Sequence, residues 1–248
     1  MGKQHGAETC HESGFKNMGR IMPMIGREIL KKTNIVAGVG IIENAFDETC
    51  KIEVLTKEEI PEKEPALLVE AKEKMGHILF DTADVLVVDQ IGKDCSGDGM
   101  DPNVTGTYGS PYGDDSKGFR AQRLVVLDFT ESTHGNGNGI GVADVTTKRL
   151  VDKYDTEKSY PNAITSTVLV MVKIPMYMKT DKEAVQVAIK SCNEIDKENP
   201  RIVRIKDTMH LEEIYISEAM IEEAKKNPAV EIIGEPEDWG FDENGNLR

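Results

Sequence analysis

Aromatic side chains and positive charge are both scarce in this chain. Phe, Tyr and Trp make up 5% of its 248 residues, and 30 Lys and Arg face 44 Asp and Glu, for a formal net charge of -14. Phosphate-binding surfaces are built from clustered Lys and Arg, so this balance argues against nucleic acid as a partner. No apolar run approaches the roughly 20 residues that a membrane-spanning helix needs. The four cysteines, Cys10, Cys50, Cys95 and Cys192, are widely spread and form no CxxC pair, which argues against a secreted disulfide scaffold. The five histidines, at 5, 11, 77, 134 and 210, form neither HExxH nor HxxxH, so no dedicated zinc site is indicated. The opening MGKQHGAETCHESGF has no apolar core of a signal peptide. These absences together lead us to expect a globular protein in a reducing, cytoplasmic setting, long enough for one large domain or two small ones.

What is present reads as alternating strands and helices. Residues 14–32 carry Phe15, Met18, Ile21, Met22, Ile25 and Ile29 at three- and four-residue steps, a helical stripe interrupted by Pro23. NIVAGVGIIEN (34–44) and KIEVLT (51–56) read as strands, and PEKEPALLVEAKEKM (61–75) as a helix with proline in its first turn. ADVLVVDQI (83–91) and QRLVVLDFT (122–130) are near-continuous apolar runs, the pattern of strands buried on both faces of an α/β sheet. A polar, glycine-dense loop fills 92–121, and ESTHGNGNGIG (131–141) is a second glycine-rich turn. Further along the reading is a helix over 142–154, an apolar, β-branched stretch over 163–176 and a helix over 180–195 opened by Thr180 and Glu183 at capping-box spacing. A strand follows at 201–208, a helix at 217–227 capped by Ser217, a last strand at 229–235 and an acidic surface tail. The fold class is therefore α/β, with a mixed or mostly parallel sheet and flanking helices. A boundary after Gly76 divides the chain into 1–76 and 77–248.

In an open α/β sheet, ligands gather beyond the carboxyl ends of the strands. Both glycine-rich loops begin there, and glycine lets backbone N–H groups approach an anion. Gln90 and Lys93, three positions apart where the first loop begins, offer an amide and a cation for a carboxylate. The bland reading is a strand-end hydrogen-bonding residue and a solvated lysine. The aspartates of loop 94–115 lack the DxDxDG order of an EF-hand and suit turns equally well. GNGNGIG is not a Walker A loop, and it lacks a clear strand-to-helix context for a dinucleotide fingerprint. His11 ahead of the first helix is a candidate metal ligand or a cap.

Read together, GKQHGAETCHESGF, GVGIIENAFDET, VLVVDQIGKDCSGDGMDPNVTG, VVLDFTESTHGNGNGIGVADVTTKRL and YPNAITST resemble the lactate racemase family over nearly the whole chain from Gly2 to about Ser217. These are two-domain isomerases of 2-hydroxy acids that carry a nickel-pincer nucleotide. The resemblance implies that 1–76 is a remnant of the cofactor-binding N-terminal domain and 77–248 the substrate-contacting C-terminal domain. It implies that His11 binds nickel and that Gln90 and Lys93 contact substrate. Related sequences often carry an acidic residue in place of Gln90. The cofactor lysine and the two catalytic histidines of the family would fall ahead of Met1, so the expectation is a fragment, or one half of a split enzyme completed by a separately encoded N-terminal half. The implied reaction abstracts hydride from C2 and returns it to the opposite face. A non-catalytic module that binds small carboxylates, and a partner protein without a ligand, remain open.

Overall fold

The computed structural model describes residues 30–43, 50–74, 77–92, 102–106, 118–165, 169–208 and 210–247. Strands β1 (Ala37–Glu43) and β2 (Cys50–Thr56) form an antiparallel pair. Helix α1 (Ile60–Glu73) packs on one face of that pair. That face carries Gly38, where a Cβ would stand 3.2 Å from the Ile60 side chain, and Ile42 and Leu55 are buried there. Lys51 ties strand to helix through Glu70 at 2.7 Å. On the other face Val39, Ile41, Ile52 and Val54 are exposed.

The remaining strands form a single six-stranded sheet. They are β3 (Thr82–Ile91), β4 (Arg120–Phe129), β5 (Val145–Thr147), β6 (Met176–Met178), β7 (Ile202–Ile205) and β8 (Tyr215–Ile216), in the spatial order β6-β5-β4-β3-β7-β8. Every pairing is parallel except that of β7 with β8. The continuous apolar runs occupy the two central strands, where Val85 to Val88 and Leu124 to Val126 are fully buried. Leu86, Val88, Leu124, Val126, Val203 and Ile205 project to one side, under Ile140, Leu150, Met220 and Ala224. Val85, Val87, Val125 and Leu127 project to the other, under helix α5 (Asp181–Ser191) through Ala184, Val185 and Ala188. Small residues four apart on α5 let its backbone lie close to the sheet.

Three short helices complete the main body: α2 (Pro102–Thr105), α3 (Lys148–Lys153) and α4 (Thr156–Thr165). Helix α6 (Ile221–Ala224) follows β8. The chain winds from β3 to β4, β5 and β6 in one direction, then returns by α5 to β7 on the far side of β3. The winding therefore reverses between β3 and β7.

Several expectations need correction. The helix expected over 142–154 is a buried strand followed by a one-and-a-half-turn helix. The Thr146 and Thr147 hydroxyls bind Val126 O and Leu127 O at 2.7 Å, which secures β5 beside β4. Thr147 then caps α3, accepting from Leu150 N at 3.2 Å. Ser217 is not a side-chain cap: its hydroxyl accepts from Ile202 N at 2.9 Å and donates to Pro200 O at 2.7 Å, bracing the edge of β7. Residues 229–235 form no strand, and the edge beside β7 is taken by β8. The acidic tail is not purely a surface feature. Trp239 and Leu247 pack against the α5 side of the core. The stripe expected over 14–32 lies, up to residue 29, outside the described residues.

Candidate functional site at the carboxyl edge of the sheet

Parallel strands end together, so the last side chains of β3, β4 and β7 form a row. Gln90 pairs in register with Asp128 of β4. On its other flank Val88 pairs with Ile205, and Gln90 N donates to Lys206 O at 3.0 Å. Carrying that register on by two residues sets Gln90 beside Asp207. Strand alternation puts Asp128, Gln90 and Asp207 on one side, that of Val126, Val88 and Ile205.

The flanks of the row are gripped, and its centre is free. Asp128 receives Lys153 Nζ at 2.7 Å, Phe129 N at 2.8 Å and Arg149 Nε at 2.9 Å. The Arg149 Nε contact is an ion pair whose N–H is poorly aligned for a hydrogen bond. Arg149 and Lys153 stand four apart on α3 and so share a face. Asp207, 3% exposed, lies within 2.8 Å of His210 Nδ1 through both carboxylate oxygens and accepts His210 N at 3.0 Å. Among the described residues, the Gln90 side-chain amide has no hydrogen-bond partner.

An open cleft of about 300 Å³ runs over this edge, lined by Gln90, Asp128, Arg149, Asp181 and, on the far side, the Asp89–Arg204 pair. Arg204 Nε and Nη2 bind the two oxygens of Asp89 at 2.7 and 2.9 Å, the bidentate geometry that suits guanidinium and carboxylate. The guanidinium also lies 5.2 Å from the centre of the Tyr215 ring. Asp181, 1% exposed, accepts from Arg149 and from Leu247 N at 2.8 Å. Burial pushes its carboxyl above the ordinary range, with the Leu247 N–H and the Arg149 cation pulling the other way.

Of the two glycine-rich loops, the second is described throughout. Inside 131–141 the amides are already used: Gly137 N binds Ser159 Oγ at 2.9 Å, Gly135 N binds Thr133 Oγ1 at 3.3 Å and Asn138 N binds Asn136 Oδ1 at 3.1 Å. Its glycines serve close packing, since a Cβ on Gly137 would stand 2.0 Å from the Tyr154 ring. Of the first loop, 93–101 and 107–117 lie outside the described residues, and Gly106 O accepts Ala121 N at 2.7 Å.

Of the expected site residues, Gln90 stands at the centre of the row. Lys93 and His11 lie outside the described residues. Among those residues, no group of three or more His, Cys, Asp or Glu side chains converges to hold a metal ion, and no helix is long and apolar enough to cross a membrane. Sequence reasoning passed over Arg149, Asp181, Arg204 and the Asp207–His210 pair. Only the last leaves a local trace, an Asp-x-x-His directly after a strand. No family model, curated protein or solved structure matches the chain.

Proposed function

We propose that the chain provides the substrate-contacting part of a nickel-pincer-dependent racemase or epimerase of 2-hydroxy acids, working in the cytoplasm. The observation that carries this reading is the Gln90 amide, unpartnered among the described residues, at the carboxyl end of the central strand, where the winding reverses. Ligands of open α/β sheets bind at such a point. In this reading Gln90 and, three residues on, Lys93 take the substrate carboxylate. They hold C2 in place for hydride removal and return. The cofactor would supply the hydride acceptor. Its nickel ligand is expected at His11, which lies outside the described residues. Division of the chain into a cofactor remnant, 1–76, and a substrate domain, 77–248, belongs to the same proposal.

A second reading is a non-catalytic module for small carboxylates. It is favoured by Arg149 and Arg204 on the walls of one cleft, each already oriented by carboxylates.

The deciding experiment measures lactate binding by ligand-observed NMR and lactate racemisation by chiral chromatography. Both are run on the chain alone and with a cofactor-loaded N-terminal half. Gln90→Ala is expected to weaken lactate binding about tenfold, the loss of one charge-assisted hydrogen bond. Binding without racemisation in the completed pair would favour the second reading. Unchanged affinity in the Gln90→Ala variant would remove the cleft from both.

A further inference from the structure

We propose that His210, held by Asp207, is the residue that selects a hydroxy acid over the corresponding keto acid at this edge. The inference rests on the site reading above and goes beyond it by assigning the hydroxyl group a contact.

The argument starts from donor and acceptor identities. An ionised carboxylate only accepts hydrogen bonds. His210 Nδ1 lies 2.8 Å from both oxygens of Asp207, so Nδ1 carries the proton in that contact. Asp207 is 3% exposed and further fixed by His210 N at 3.0 Å, so the acceptor that sets this arrangement is rigid. A neutral imidazole bound in this way has its lone pair on Nε2. Among the described residues Nε2 has no partner, and the His210 side chain is 50% exposed. In its neutral form the imidazole therefore presents one unused acceptor to solvent, with its tautomer decided by a buried carboxylate.

Place gives that acceptor its meaning. Asp207 follows Ile205, and the register that pairs Val88 with Ile205 brings it alongside Gln90. The Gln90 N–H bond to Lys206 O, at 3.0 Å, holds the two strand ends together. Gln90 and Asp207, the residue that holds the imidazole, are thus register neighbours on one side of the sheet, where the chain reverses its winding. A 2-hydroxy acid offers a carboxylate and a hydroxyl on adjacent carbons. A 2-keto acid offers the carboxylate but no proton for Nε2, and a site that accepts from a hydroxyl discriminates against the analogue that lacks it. Asp207 acts here as a positioning residue, through the tautomer of His210.

The test compares lactate with pyruvate on the chain as it stands, by NMR titration, for wild type, Gln90→Ala, His210→Leu and Asp207→Asn. Long-range proton–nitrogen spectra report the His210 tautomer. Wild type is expected to prefer lactate and to show His210 protonated on Nδ1. His210→Leu is expected to reduce the lactate-to-pyruvate preference by about fivefold, the worth of one hydrogen bond, and to leave pyruvate binding in place. Asp207→Asn is expected to redistribute the tautomer and to shift the preference in the same direction. If Gln90→Ala weakens lactate binding while His210→Leu leaves the preference unchanged, the His210 assignment is wrong and the site reading survives. Binding of neither acid overturns both. A wild-type His210 protonated on Nε2 overturns the assignment without any ligand.

Discussion

Arg149 reaches across the carboxyl edge of the sheet to Asp181, with Nη2 3.0 Å from Oδ1, and so joins a helix on one side of the sheet to the first turn of a helix on the other. Asp181 also holds the Leu247 N–H, which anchors the C-terminal tail over the same edge. Removing this carboxylate takes from Arg149 one of its two carboxylate partners and from Leu247 N its acceptor. Asp181→Ala is expected to destabilise the fold by about 1–3 kcal/mol. Asp181→Asn keeps one acceptor and should cost less. Urea unfolding of the two variants checks the order, and equal stability of Asp181→Ala and wild type would show that Arg149 and the tail find other partners.

The central strands should tolerate truncation poorly. Leu124 is fully buried among Leu86, Val126 and Ile140, and Leu124→Ala leaves a cavity that close-packed neighbours cannot fill. A loss of about 2–5 kcal/mol is expected. Val39, 67% exposed on the open face of the hairpin, gives the contrast: Val39→Ser should change stability by less than about 0.5 kcal/mol. Chemical denaturation of both variants measures the difference.

Two glycines separate packing from conformational freedom. Gly137 has no room for a Cβ, which would lie 2.0 Å from the Tyr154 ring, whereas Gly40 has open space around it. Gly137→Ala must displace the ring and its bond from Tyr154 Oη to Val172 O at 2.9 Å, with an expected cost of about 1–3 kcal/mol. Gly40→Ala should be close to neutral. Thermal melts of the two variants compare them, and a neutral Gly137→Ala would place Tyr154 elsewhere.

Acid should loosen the start of α1 through Glu59. Its hydrogen bond from Lys63, and then that from Thr56 N, lower its pKa from 4.5 to about 2. A carboxylate whose folded value is depressed contributes stability that is fully present above the unfolded value. That contribution is lost as pH falls through the folded value. The Glu59 contribution should therefore be intact above about pH 4.5 and gone near pH 2. The stability difference between wild type and Glu59→Gln, followed by urea unfolding across that range, should shrink towards zero. Because the pair is exposed, high salt should reduce the difference at neutral pH.

The elements legible in the sequence are those with strong local patterns. The apolar runs at 83–91 and 122–130 become β3 and β4, and the stripe over 180–195 becomes α5, where Thr180 Oγ1 accepts from Glu183 N at 3.1 Å as the capping spacing predicts. Elements whose state depends on distant partners were misjudged. VTT at 145–147 lies within a helix-like pattern and becomes a strand because Val126 and Leu127 carbonyls stand beside its hydroxyls. AVEIIGE has every local mark of a strand and pairs with none of the described strands.

By itself the sequence determined the class of architecture, the burial of the two central strands and the cap of α5, because solvent exclusion and capping imprint themselves within a few residues. Tertiary structure alone decided that β7 returns to lie beside β3. That decision brings Gln90 between Asp128 and Asp207 and sets Arg204 against Asp89. Strand order is chosen by long-range pairing and the entropy of closing the connecting loops, and neither leaves a periodic signal in the residues it brings together.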